Sequence, residues 1–163
     1  MKYAGIIYND FAAAPGVSLS FFVQGCHQHC VGCQNQETWD FNGGYEFTQG
    51  TIDKIIKGLT ANGINRTLCI MGGEPLDIRN QAGIYELIQA VKKVLPDTKI
   101  YLWTGFIFEE ICDIPSIELI LQDVDVLIDG PYIDEERDIT LPLRGSRNQR
   151  VIYLHPWSTQ NHE

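Results

Sequence analysis

Basic residues are scarce in this chain. Lys and Arg number 12 against 21 Asp and Glu, a formal net charge of −9 over 163 residues, so neither nucleic-acid phosphates nor an anionic membrane surface is an expected partner. No stretch of about 18 apolar residues exists to span a bilayer. Met1 to Asp10 lacks the apolar core of a secretory signal, and a cytoplasmic location is expected. Internal repeats, low-complexity tracts and Pro/Gly/Ser-rich linkers are also missing. At roughly 100–200 residues per domain, residues 1–163 are expected to form one domain. A disulfide framework is disfavoured too, because the cysteines number five and three of them crowd between Cys26 and Cys33. Cys69 and Cys112 stand alone within apolar runs and read as small core hydrophobes.

What is present is a regular alternation. Leu19 to Val23 is an apolar run between Gly16 and Gly25, the pattern of a buried strand. Ile52, Ile55, Ile56 and Leu59 then follow helical spacing, with Thr48 or Thr51 as the cap and Gly63 just past the end. Thr67 to Met71 is a second strand and runs into Gly72-Gly73-Glu74-Pro75. The stripe Ile84, Leu87, Ile88 and Val91 predicts a second helix that ends before Pro96. Lys99 to Trp103 and Val124 to Ile128 read as strands, Phe108 to Leu121 as a weaker helical region broken by Pro115, and Val151 to Leu154 as a fifth strand. Strands alternating with helices imply parallel pairing through right-handed crossovers. The polar segments 25–33, 72–75, 104–105 and 129–131 would then share the carboxyl edge of the sheet, where such folds place their sites. A closed eight-stranded barrel needs about 250 residues, so this length predicts a partial, open one.

The chemistry concentrates in Cys26-His27-Gln28-His29-Cys30-Val31-Gly32-Cys33, a C-x3-C-x2-C spacing. Three soft thiolates suit a tetrahedral zinc completed by a histidine, or an iron–sulfur cluster with one iron left open. A fourth cysteine ligand could come only from Cys69 or Cys112, and both lie in apolar stretches.

This cysteine motif, with Gly72-Gly73-Glu74-Pro75 one β/α unit later, resembles the radical S-adenosylmethionine superfamily. Further blocks resemble the short activating proteins of anaerobic ribonucleoside-triphosphate reductases within it: Gly25 to Cys33 with Asn35 and Thr38-Trp39, Trp103-Thr104-Gly105, Asp125 to Gly130, Arg144-Gly145-Ser146 and Asn148-Gln149. The resemblance implies an α/β fold of the partial, open parallel (β/α) barrel type. It implies a [4Fe–4S] cluster on Cys26, Cys30 and Cys33, with S-adenosylmethionine chelated at the open iron. Gly72, Gly73 and Glu74 are implied to receive the methionine amino group, consistent with glycines that let carbonyls approach an ammonium and a carboxylate that offsets its charge. It further implies reductive cleavage of S-adenosylmethionine to a 5′-deoxyadenosyl radical, which takes hydrogen from a glycine of the large reductase subunit. An electron donor such as flavodoxin or ferredoxin would supply the electron. No catalytic residue beyond the cluster is implied. The chain departs from the superfamily beside the third cysteine, where Gly32 replaces an aromatic residue and Gln34 a tyrosine; both are candidate cofactor neighbours.

Other residues admit two readings. Asp129, ending a strand, could meet a ribose hydroxyl or cap the next turn. His27 and His29 could bind zinc or simply be polar loop residues. Arg137, Arg144, Arg147 and Arg150 form either a solvated face or a surface for docking a partner. His155 and His162 receive no role.

Overall fold

The computed structural model describes residues 1–155; His162 lies outside the described residues. The first helix, α1 (Gln49–Leu59), buries Ile52, Ile55 and Leu59. Both threonines take part in its start: Thr48 is the cap, and its N–H donates to Thr51 Oγ1 at 3.1 Å. Beyond its end, Asn62 and Gly63 adopt left-handed φ values of 59° and 71°, which turn the chain back. In α2 (Gln81–Val94) the stripe Ile84, Leu87, Ile88 and Val91 is fully buried. Pro115 divides the third helical region into α3 (Phe108–Ile111) and α4 (Pro115–Leu121), standing in the first turn of the latter, where a missing N–H costs nothing. Among the described residues, no helix is long and apolar enough to cross a membrane.

Seven strands form one mixed sheet: β1 (Lys2–Asp10), β2 (Ser18–Gln24), β3 (Tyr45–Glu46), β4 (Thr67–Gly72), β5 (Ile100–Trp103), β6 (Val126–Asp129) and β7 (Arg150–Tyr153), in the order β3-β1-β2-β4-β5-β6-β7. The central four, β2-β4-β5-β6, are parallel as the alternation predicts. The flanks are not: β1 pairs antiparallel with β2 and β3, and β7 pairs antiparallel with β6. The expectation of an all-parallel sheet is corrected here, and the reason lies in the connections. Residues 11–17 and 130–149 contain no α-helix, and without a crossover the chain returns antiparallel. Strand β1 escapes sequence reading because two register shifts interrupt its pairing with β2 and much of it is solvent-facing.

Alternation along the strands separates two faces. Leu19, Phe21, Val23, Leu68, Ile70, Ile100, Leu102 and Leu127 pack with the apolar stripes of α1, α2 and α4 into the main core. On the opposite face, Ser20, Cys69, Tyr101, Val126 and Tyr153 are successive partners across five strands. That face has a smaller cluster, in which Ala14 and Leu143 from loops meet Cys69, Tyr101, Trp103 and Ile128. Cys69 is fully buried, as expected, whereas Cys112 is only half-buried, because the single turn of α3 directs Ile111 inward instead.

Arg66, 5% exposed, closes the amino edge of the sheet. Its guanidinium donates to the carbonyls of Gly58 (3.0 Å), Ala61 (2.9 Å) and Ile64 (3.1 Å), and to Asn9 Oδ1 from both Nε (3.0 Å) and Nη2 (2.7 Å). These bonds gather the carbonyls at the end of α1 and along the turn that follows it onto one guanidinium. Arg66→Met is expected to destabilise the apoprotein by about 3 kcal/mol through the loss of these charge-assisted hydrogen bonds. Urea unfolding checks this: the midpoint should fall with an unchanged m value.

Candidate cluster and cofactor site

Strand β2 passes into Gly25 at φ 103°, a conformation suited to glycine. Two backbone bonds then dock the loop on the segment that follows it: Gly25 N–H donates to Thr38 O at 2.6 Å and Cys26 N–H to Trp39 O at 3.1 Å. Cys26, Cys30 and Cys33 lie in this loop as free, half-buried thiols. Cys33 N–H donates to Cys30 O at 3.1 Å, and Asn35 N–H to Cys33 Sγ at 3.4 Å. Burial pushes the Cys26 thiol above its usual pKa; the backbone N–H of Gln28 opposes this and the charge of Glu74 adds to it. Gly32 has a φ of 76°, a conformation that favours glycine, and a Cβ there would lie 2.6 Å from Asp134 Oδ1 at the end of an exposed side chain.

The Gly72-Gly73-Glu74-Pro75 turn lies directly against this loop. Gly73 N–H donates to Val23 O at 2.8 Å and Glu74 N–H to Gly25 O at 2.8 Å. A Cβ on Gly72 would lie 2.8 Å from Val23 N, and one on Gly73 would lie 2.5 Å from Gly25 O. The two glycines therefore let the turn approach the backbone of the cysteine segment, a need that the sequence does not reveal. Glu74 is 2% exposed. Its Oε1 accepts from Leu76 N–H (2.9 Å) and Thr104 Oγ1 (2.7 Å), its Oε2 from Gly105 N–H (2.7 Å) and Gln28 Nε2 (3.4 Å). Burial pushes its carboxyl up to about 7, against the pull of the bonds from Gly105, Leu76 and Thr104.

Both histidines of the loop rest on aromatic rings. His29 stacks on Trp39 at 4.3 Å and 10°, and His27 lies 4.6 Å from Phe41 while hydrogen-bonding Asp77 at 2.7 Å. These contacts supply a reason for both residues other than zinc ligation. Among the described residues, no three His, Cys, Asp or Glu side chains gather closely enough for a single metal ion.

Asp129 makes its contacts within the fold. It is 1% exposed and accepts from Phe108 N–H (2.8 Å), from Arg150 Nε (3.1 Å) and from Arg150 Nη2 (2.6 Å). These contacts tie it to the start of α3 and to β7 rather than to the turn that follows it. Arg150 also donates to both oxygens of Glu109 at 2.9 and 2.6 Å, which holds the Glu109 carboxyl down at about 2. Arg150, an exposed residue, thus bridges two carboxylates. Arg144 is half-buried and donates to Gln149 O at 3.1 Å; Arg137 and Arg147 are exposed, as is Gln34.

Comparison with known proteins identifies the family. Residues 12–152 match a family model described as a 4Fe-4S single cluster domain. Three anaerobic ribonucleoside-triphosphate reductase-activating proteins are similar along nearly their whole length. The Vibrio cholerae protein is 41% identical, covering 93% of this chain and 97% of its own. The Enterobacteria phage T4 protein is 40% identical over 93% of each chain. The Escherichia coli protein is 35% identical over 94% of this chain and 99% of its own. The chain belongs to the anaerobic ribonucleoside-triphosphate reductase-activating protein family.

Within this family member, sequence reading passed over Asn80, Asp77 and the bonding of Thr104. Asn80 is 1% exposed, and its Nδ2 donates to Glu74 O (2.9 Å) and Gln24 O (3.3 Å), joining the turn to the end of β2. The only signal was Asp77-Ile78-Arg79-Asn80 ahead of an apolar stripe, which reads as an ordinary helix start.

A carboxyl with a folded pKa near 7 and an ordinary value of 4.5 binds its proton more readily in the folded state. Its contribution to stability is therefore greatest below pH 4.5 and declines as pH rises toward 7. The stability of the wild type relative to Glu74→Gln, from urea unfolding of the apoprotein, should fall across that window. A difference independent of pH would contradict the assignment. Gly73→Val is expected to force the turn off Gly25 and lower the iron content after anaerobic reconstitution, besides any effect on cofactor binding.

Proposed function

We propose that this chain is a radical S-adenosylmethionine activase that installs the glycyl radical of an anaerobic ribonucleoside-triphosphate reductase. The observation that carries the reading is the pair of bonds from Gly73 and Glu74 to Val23 and Gly25, which set the glycine-rich turn beside three free thiols. In this reading, Cys26, Cys30 and Cys33 hold a [4Fe–4S] cluster, and Gly72, Gly73 and Glu74 receive the methionine end of S-adenosylmethionine. Gly32 and Gln34, the neighbours of Cys33, are the loop positions left for the adenosine end. Asp129 is left outside the ligand set because it is 1% exposed and already accepts three bonds, from Phe108 and Arg150. The mixed sheet is read as a partial, open barrel, parallel at its centre, and residues 1–163 as one domain.

When bound, the cluster supplies one electron that breaks a carbon–sulfur bond of S-adenosylmethionine, so that hydrogen is taken from a glycine of the reductase. Flavodoxin or ferredoxin is the class of donor that would restore the electron. The chain's own residues hold the parts together. Glu74 fixes the relative positions of the turn, the end of β5 and the cysteine loop through Leu76, Thr104, Gly105 and Gln28. Its buried negative charge favours an ammonium group nearby. Three ligands suffice in this reading: Cys69 is buried and its thiol is pushed up to about 12, and Cys112 lies at the end of α3.

Two measurements test the proposal. Anaerobic reconstitution should give near-background iron in the alanine variants of Cys26, Cys30 and Cys33, and wild-type iron in Cys69→Ala and Cys112→Ala. Mixing the reconstituted protein, S-adenosylmethionine, a reductant and an anaerobic reductase should yield an organic radical signal by electron paramagnetic resonance. Absence of that signal despite a full cluster would remove the activase reading.

A further inference from the structure

Three segments meet at one imidazole. His27 follows Cys26 directly, and its Nδ1–H donates to Asp77 Oδ2 at 2.7 Å, across 50 residues of sequence. Asp77 is 6% exposed and held in turn, its Oδ1 accepting from Arg79 N–H at 2.9 Å. Phe41, from the segment after the third cysteine, lies 4.6 Å from the His27 ring, and the Arg79 guanidinium lies 4.6 Å from the Phe41 ring centre. The phenylalanine also closes over Gly25, where a side chain would collide with its ring. The imidazole therefore ties the first cysteine to the residues just past the glycine-rich turn. The His29 ring, by contrast, stacks on Trp39.

We propose that His27 is a positioning residue, which sets the first cysteine against the glycine-rich turn and so matches the cluster's open iron to the methionine-binding residues. The inference rests on the function proposed above. A ligand that must reach an iron and a backbone turn together binds best when the two are held at a fixed separation beforehand. The backbone bonds of Gly73 and Glu74 fix the turn to Val23 and Gly25, one residue short of the ligand. The His27–Asp77 bond is the next constraint along the chain, and it acts beyond Cys26.

The test separates cluster assembly from cofactor affinity. His27→Ala, His27→Asn and His29→Asn are reconstituted anaerobically, assayed for iron, and titrated with S-adenosylmethionine by calorimetry. Asparagine can present an N–H near the position of Nδ1, and it tolerates the left-handed φ of 46° at residue 29. Full iron is expected in all three. His27→Ala should bind S-adenosylmethionine about tenfold more weakly, equivalent to about 1.4 kcal/mol, with wild-type affinity in His27→Asn and His29→Asn. Unchanged affinity in His27→Ala overturns the proposal, as does iron loss in that variant, weak binding by His27→Asn or equal weakening by His29→Asn. Should the wild type itself, fully loaded with iron, bind no S-adenosylmethionine, the functional reading falls and this inference falls with it.

Discussion

The carboxylate of Glu74 is the constraint around which the candidate site is arranged. Burying a carboxylate is costly, and the cost is offset only when its oxygens are met by donors in good geometry. Here the donors come from three separate places: Leu76 in the same turn, Thr104 and Gly105 beyond β5, and Gln28 between the first two cysteines. Each must sit at the carboxyl edge of the sheet for the set to be complete. The parallel pairing of β2, β4 and β5 satisfies this, since it brings their ends to one edge. The raised pKa of Glu74 records that burial outweighs the donors. A group in that condition favours any cation brought close to it.

A second, separate network explains the carboxyl-terminal motif. Gln149 Oε1 accepts from the N–H groups of Gly145 (2.9 Å) and Ser146 (3.1 Å), while its Nε2 donates to Gly130 O (3.0 Å). Asn148 Nδ2 donates to Pro131 O at 2.7 Å, and Ser146 Oγ donates to Asn148 Oδ1 at 2.6 Å. Arg144 to Gln149 therefore form a bracket around the exit of β6, and Arg150 adds an ion pair to Asp129 at its base. Tyr132, on the bracketed segment, approaches Gly145 on one side and Gly32 of the cysteine loop on the other. The bracket thus reaches the cysteine loop through packing, which is a physical reason for the motif that needs no partner.

Much of this was legible in sequence wherever apolar periodicity was strong. The stripes of α1 and α2 and the runs of β2, β4 and β5 read correctly because each is buried on a face whose spacing the residues repeat. Strand β1 was not legible, since bulges interrupt its pairing and solvent meets its second half. The direction of β7 depends on the absence of a helix in residues 130–149, and an apolar tetrapeptide carries no direction. The cysteine and glycine motifs were visible as patterns. The reason for the glycines was not, because contact between Gly73 and Gly25 arises only when β2 and β4 pair. Asp129 and Arg150 illustrate the same limit: they are register partners on antiparallel strands, and sequence spacing does not announce an ion pair of that kind.

The two faces of the sheet are closed unequally. The helical face is closed by fully buried aliphatic side chains, which fixes the strands and, through them, the loops at the carboxyl edge. The other face is closed less completely. Trp103 Nε1 donates to Leu143 O at 2.7 Å, and Leu143 packs over the smaller cluster from a left-handed backbone at φ 66°. A loop residue in that conformation is a less secure cover than a helix stripe, because a non-glycine residue there carries strain that its contacts must offset. That is the side on which Phe22, Met71, Trp103 and Val151 remain partly exposed. The unequal packing of the two faces thus holds the helical side fixed and leaves the other side less tightly closed.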